Sequence, residues 1–204
     1  YQKQKDFWIE AAQKYKNNPT VLFGILNEPT GISWDVWRNG NGADKIGHQH
    51  IVETIRDLGA KNIIVAGGIG YSNDLRGIVG RAGDGVNYAL IDRGLNDDLT
   101  KAGNGIMYDL HMYPWHGGTV YWDQNAGEAR RLYPTVMGEF GWDADAILSV
   151  ANKTYPPGHQ RYHDKWMPEI FEWMKDADRY GISMNWTAWC FHPSAGPRML
   201  KSQG

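Results

Sequence analysis

A single cysteine, Cys190, stands in 204 residues, so the chain can close no disulfide within itself and has no thiolate cluster to offer zinc. It also lacks any run approaching the roughly 20 apolar residues that a bilayer-spanning helix needs. Tyr1 opens straight into a polar, helix-like stretch without the apolar centre of a signal peptide. Charge of one sign is missing too. Lys and Arg total 21 against 23 Asp and Glu, a formal net charge of −2. No basic field exists to release counterions from nucleic acid or to hold anionic lipid, so neither nucleic acid nor a membrane is an expected partner. Phenylalanine is scarce, five residues against ten Trp and eleven Tyr. Rings that join an apolar face to a polar edge suit half-wet surfaces, of which a packed rim is one and a sugar-binding cleft another.

What is present alternates. Phe7, Trp8, Ala11, Ala12 and Tyr15 recur at helical spacing over residues 4 to 16, and Asn17, Asn18 and Pro19 stop that helix before the apolar run Val21 to Leu26. Ile46, Ile51, Ile55 and Leu58 predict a second helix ending at Gly59, followed by a β-branched run from Asn62 to Ala66. Gly105 to Tyr113 reads as a third strand, Gly127 to Leu132 as a short helix and Pro134 to Phe140 as a fourth strand. A long helix from His159 to Tyr180 closes at Gly181, before a fifth strand from Ile182 to Trp189. Strands alternating with helices and reading as near-continuous apolar runs imply an α/β chain with a buried parallel sheet. Their uneven spacing fits a (β/α)8 barrel with decorated loops, in one partial domain over residues 1–204. Five strands do not close a barrel of eight, so either about three βα units are expected to precede Tyr1 or the chain is an open partial barrel, and its exposed edge is expected to meet the missing N-terminal half, another chain or aggregation.

In such a barrel the chemistry sits where strands run out into βα loops. Three apolar runs end in ionisable groups: ILNEPTG places Asn27 and Glu28 after the first, YDLHMYPW places His111 and Tyr113 on one side of the third, and TVMGEFGW places Glu139 after the fourth. A carboxylate at the end of a buried strand is costly unless paired, so two of them at one barrel mouth need a reason. Either they are ion-paired rim residues, or they are the acid and the nucleophile of glycosidic bond hydrolysis, which stand about 5 Å apart when configuration is retained.

These residues resemble the retaining barrel hydrolases of glycoside hydrolase family 5, which includes many cellulases, over nearly the whole chain. The resemblance rests on Asn27-Glu28-Pro29, His111-Met112-Tyr113, Gly138-Glu139-Phe140-Gly141 and Trp189, matching the ends of the family's strands 4, 6, 7 and 8 in order. It implies Glu28 as acid/base, Glu139 as nucleophile and Asn27 as a hydrogen-bond partner of the sugar 2-hydroxyl. It further implies Tyr113 holding Glu139 ionised and in place, His111 beside substrate, and Trp189 as the floor under the sugar. The implied activity is endo-acting hydrolysis of a β-linked glucan, β-1,4-linked as in cellulose, without metal or organic cofactor, by a secreted or extracytoplasmic enzyme. Family relatives also act on mannan, xyloglucan, β-1,3-glucan and glycolipid. The family's Arg from the second strand and His from the third have no counterpart in this chain. That departure leaves room for a non-catalytic, carbohydrate-binding partial barrel, and a third reading is a barrel enzyme of other chemistry.

Of the loop aromatics, Trp115 and Trp142 are the expected sugar platforms, whereas Trp34, Trp37, Tyr71, His116 and Trp122 are expected in loop packing. The pairs His48/His50 and His159/His163 are read as solvated helix faces rather than metal ligands. AGGIGYSND fits no phosphate-binding loop and is expected to be a βα turn. The two Asn-x-Thr matches, at Asn152 and at Asn185 in the expected buried fifth strand, are assigned no glycan.

Overall fold

A computed structural model describes residues 2–141, 166–192 and 195–197. Two compact units divide the chain, Tyr1–Asp109 and Leu110–Gly204.

In the first unit, α1 (Gln2–Tyr15) buries Trp8 and Ala12, and the Trp8 ring meets the edge of Phe23 at 5.9 Å. The predicted run from Val21 to Leu26 has ladder geometry only in β1 (Phe23–Gly24), although Phe23 and Ile25 N–H groups still reach the carbonyls of Ile63 and Val65. β2 (Ile64–Gly67) pairs parallel with β1, and β3 (Ile106–Met112) pairs parallel with β2 from Ile64↔Ile106 to Gly67↔Asp109. Between β1 and β2 lie α2 (Trp34–Asn39), whose first turn is capped by the Ser33 hydroxyl, and α3 (His48–Asp57). No apolar period announces α2, because six residues hold too few turns to show one. At the start of the strands the buried Arg56 guanidinium spans Asp92 and the carbonyls of Ala60 and Asn62, the last two at 2.8 Å. The other oxygen of Asp92 accepts the Gly103 and Gly105 N–H groups at 3.1 and 2.9 Å.

The histidine expectation fails at His48. Its ring is buried against Trp37, with centroids 4.5 Å apart, and hydrogen-bonds the Trp37 carbonyl at 2.7 Å. Ile46 and Ile51, the residues that made this segment helix-like, occupy the same inward side of the chain.

The second unit carries the end of β3, then α4 (Thr119–Trp122), a π-helical turn (Asp123–Gly127), α5 (Glu128–Leu132) and β4 (Thr135–Phe140). α6 (Trp166–Lys175), α7 (Ala177–Tyr180) and β5 (Asn185–Ala188) follow. The sheet order here is β3-β4-β5, with β4 and β5 parallel. Of the single helix expected over residues 159–180, the part before 166 lies outside the described residues. The rest breaks at Asp176, whose side chain caps α7 by accepting the Arg179 N–H, and left-handed Gly181 ends it as expected. His159, His163 and the Asn152 match lie outside the described residues. Trp122, Met137, Phe140, Trp166, Ile170 and Met174 form the core. Beside it Arg130 is sandwiched between Trp173 and Tyr180, 4.3 and 3.8 Å from their ring centroids, with its pKa pushed down to about 10, chiefly by burial. β5 departs from expectation in burial: Asn185, Trp186 and Thr187 are exposed, so the segment owes its strand pairing to Val136 and Met137 rather than to cover on both faces.

Candidate active site

Tyr113 follows the last residue of β3, and strand alternation puts it on the same side as His111. Both are buried. The next strand ends in Gly138-Glu139-Phe140-Gly141, with Phe140 turned into the core and Glu139 toward its neighbour strand. The Tyr113 hydroxyl donates to Glu139 Oε2 at 2.8 Å, and His111 Nδ1 lies 3.5 Å from the same oxygen. One strand thus offers two groups to one carboxylate oxygen of the next. That arrangement compensates a largely desolvated carboxylate and fixes its direction.

The aromatic surroundings fall into exposed and buried sets. Trp115 is 51% exposed and lies parallel to Tyr113, with centroids 4.7 Å apart and planes at 9°. Trp189, just past β5, is 39% exposed, its N–H bonded to the Phe140 carbonyl at 2.8 Å and its indole Nε1 to Gly196 O at 3.2 Å. A side chain at Gly141 would run into the Trp189 carbonyl, which accounts for the second glycine of the Gly-Glu-Phe-Gly motif. Trp142 lies outside the described residues. Trp34 and Trp37 in α2 and Trp122 in α4 are buried, packed as expected though in helices, whereas Tyr71 is 55% exposed and departs from that expectation.

In the first unit Asn27 is exposed and Glu28 half-buried at the end of β1, with Glu28 in a left-handed conformation at φ 48°. The glycine-rich stretch after β2 proves to be more than a turn. Tyr71 and Ser72 are also left-handed, at φ 63° and 61°, and the Tyr71 N–H donates to the Pro29 carbonyl at 3.1 Å. Non-glycine residues there cost on the order of 1–3 kcal/mol each and persist only when their surroundings hold them. Gly67 O accepts the Trp37 indole N–H at 2.9 Å, and a side chain at Gly67 would meet Ser72 and Pro29. Sequence reasoning missed this support for the Glu28 loop. The signal available was the Gly67-Gly68 pair, which marks close backbone approach.

The family model described as Cellulase (glycosyl hydrolase family 5) matches residues 1–194. Endoglucanase 1 of Robillarda sp. (strain Y-20) is 23% identical over 94% of this chain and 44% of its own length. Endoglucanase E-5 of Thermobifida fusca is 28% identical over 67% of the chain and 25% of its own length. A β-glucanase from Saccharophagus degradans, solved in complex with cellotetraose, superposes with a TM-score of 0.63 at 21% identity, covering 98% of this chain and 54% of that one. The chain thus spans less than half the length of these two curated relatives. Its fold is that of a partial (β/α)8 barrel.

Proposed function

This chain belongs to glycosyl hydrolase family 5, and on that footing we propose that it carries both carboxylates of a retaining β-glucan hydrolase, Glu139 as nucleophile and Glu28 as acid/base. The observation that carries this reading is the Tyr113 hydroxyl and His111 imidazole converging on one oxygen of Glu139. The oxygen so held leaves its partner to attack. Glu139 attacks the anomeric carbon while Glu28 protonates the departing glycosidic oxygen. Glu28 then takes a proton from water, whose oxygen displaces Glu139 and regenerates the starting configuration. Asn27 serves the sugar 2-hydroxyl, Trp189 the floor beneath the reacting sugar, and Trp115 and Trp142 neighbouring sugars. The substrate is a β-1,4-linked glucan cut internally, in keeping with the endoglucanases the chain resembles. Action outside the cell is part of the same reading, and among the described residues no helix is long and apolar enough to cross a membrane.

The test is reducing-sugar release from carboxymethylcellulose, mannan and xyloglucan by the full-length protein, with Glu28→Ala and Glu139→Ala beside it. The reading requires release from the cellulose derivative, collapse in both variants, and products that first appear as the β-anomer by proton NMR. First appearance of the α-anomer means inversion and rules out the covalent route. Oligosaccharide binding without release by the unmutated protein favours a carbohydrate-binding role instead.

A further inference from the structure

We propose that His116 is a positioning residue for the nucleophile, its Nδ1 lone pair fixing the main chain of Tyr113 and, through the Tyr113 hydroxyl, the carboxylate of Glu139. The inference rests on the reading of Glu139 as nucleophile. Tyr113 stands one residue past the end of β3, where ladder pairing gives way to the short turn Pro114–His116. Its N–H donates to His116 Nδ1 at 3.2 Å, and the His116 N–H donates back to the Tyr113 carbonyl at 2.8 Å. The two bonds close a ring about the residue that holds Glu139. To accept a hydrogen bond at Nδ1 the imidazole must carry its proton on Nε2.

The His116 ring is itself held. It stacks on Tyr121 of α4, with centroids 6.5 Å apart and planes at 16°, and meets Trp115 edge-on at 5.7 Å. Beside Tyr121, Trp122 is fully buried, so the stack anchors the turn to a helix that is itself locked in the core. Trp115 then lies flat on Tyr113. Tyr113 is therefore restrained at its backbone by His116, on its ring face by Trp115 and at its hydroxyl by Glu139. The backbone restraint matters most for reach. A tyrosine hydroxyl stands roughly 6.5 Å from its Cα, so a backbone rotation of about 10° carries it roughly 1 Å, and a misplacement of that size costs on the order of 10²-fold in rate. Packing alone would tolerate any flat or branched side chain at 116. A hydrogen-bonding role requires an acceptor at the position of Nδ1, which the asparagine amide oxygen reproduces.

The full-length protein and its His116→Ala and His116→Asn variants are treated with 2,4-dinitrophenyl 2-deoxy-2-fluoro-β-cellobioside. A carboxylate oxygen bonds to the anomeric carbon, and dinitrophenolate leaves with the electrons of the broken carbon–oxygen bond. This leaving group needs no acid, so the burst reports the nucleophile alone, and peptide mass locates the label. The expected result is a label on Glu139, a first-order rate about ten- to a hundred-fold lower in His116→Ala, and recovery to within about threefold of the unmutated rate in His116→Asn. Steady-state KM for cello-oligosaccharides should stay within about threefold while kcat follows the burst rate. An unchanged burst rate in His116→Ala overturns the proposal, as does a His116→Asn protein that melts normally yet reacts as slowly as the alanine variant. A label missing from Glu139 in the unmutated protein instead overturns the assignment of the nucleophile, and this proposal with it.

Discussion

His48 opens α3 with its ring 2% exposed, and burial pushes its pKa down from 6.5 to about 4, opposed in part by its hydrogen bond to the Trp37 carbonyl. The unfolded chain takes up a proton near pH 6.5 that the folded one refuses until about pH 4, so between those values the unfolded state binds more protons. Stability from this group is complete above pH 6.5, declines as the pH falls, and is gone below about pH 4, where both states are protonated. A gap of about 2.5 pH units, at 1.36 kcal/mol for each, makes the loss about 3 kcal/mol. Urea unfolding of the full-length protein from pH 7 to pH 4, with His48→Phe alongside, isolates it. The variant leaves the Trp37 carbonyl without its donor, which costs about 1–3 kcal/mol at every pH and so shifts its curve without tilting it. His50 is also pushed down, by burial first and then Lys5 against Glu53, but it is common to both proteins and cancels in the comparison. The stability of the unmutated protein minus that of the variant should therefore fall by about 3 kcal/mol on acidification, reaching zero or changing sign by pH 4. Curves that stay parallel would refute the argument, since His48 would then be titrating as though in water.

Arg56→Met leaves the half-buried Asp92 beside two N–H donors but without its cation, and the melting curve should register about 3 kcal/mol of lost stability; a change under about 1 kcal/mol would mean that the pair is screened as at a surface. Tyr113→Phe removes a hydrogen bond to a charged group, worth about 1.5–3 kcal/mol, so kcat should fall about ten- to a hundred-fold with the folded state intact by circular dichroism; an unchanged kcat would detach Tyr113 from the chemistry. Gly67→Ala drives a methyl group toward Ser72 and Pro29 and so disturbs the loop that bears Glu28. Its rate loss should be larger on cello-oligosaccharides, whose leaving oxygen needs a proton, than on an aryl cellobioside with an acidic phenol, and equal losses would show that Glu28 had not been touched.

Most of the strand order could be read from apolar runs alone, because a strand paired on both sides has only its own side chains to keep it dry. The runs ending in Tyr113 and Phe140 matched their strands to within a residue or so. β1 shortened to two residues because pairing geometry, which no residue type declares, decides where a ladder stops. β5 kept its place but not its burial. The site was legible where a motif carries a local demand: Gly141 must admit the Trp189 carbonyl, and His111 and Tyr113 share a side because they are two apart. It was illegible where the demand comes from a distant partner. Nothing near Tyr71 in the sequence announces that its N–H holds Pro29, and nothing about His48 foretells that Trp37 buries it.

The first unit keeps a polar staple at one end of its strands and a strained loop at the other. Where β2 and β3 begin, Arg56, Asp92 and the backbone of Asn62, Gly103 and Gly105 form a polar staple, and Gly103 gives the guanidinium room by having no side chain. Where β1 and β2 end, three left-handed residues, Glu28, Tyr71 and Ser72, meet around Pro29. Such conformations cost free energy and relax if released, so something rigid must hold the strands in register beneath them. Gly67 transmits that register, since its carbonyl takes the Trp37 indole and its bare Cα lets Ser72 and Pro29 close in. A weakened staple should therefore lower the melting temperature first and leave kcat unchanged while the fold persists. A change at Gly67 should do the reverse, because its added methyl displaces Ser72 and Pro29 and so moves the strained loop, while the Arg56 staple at the other end of the strands stays intact.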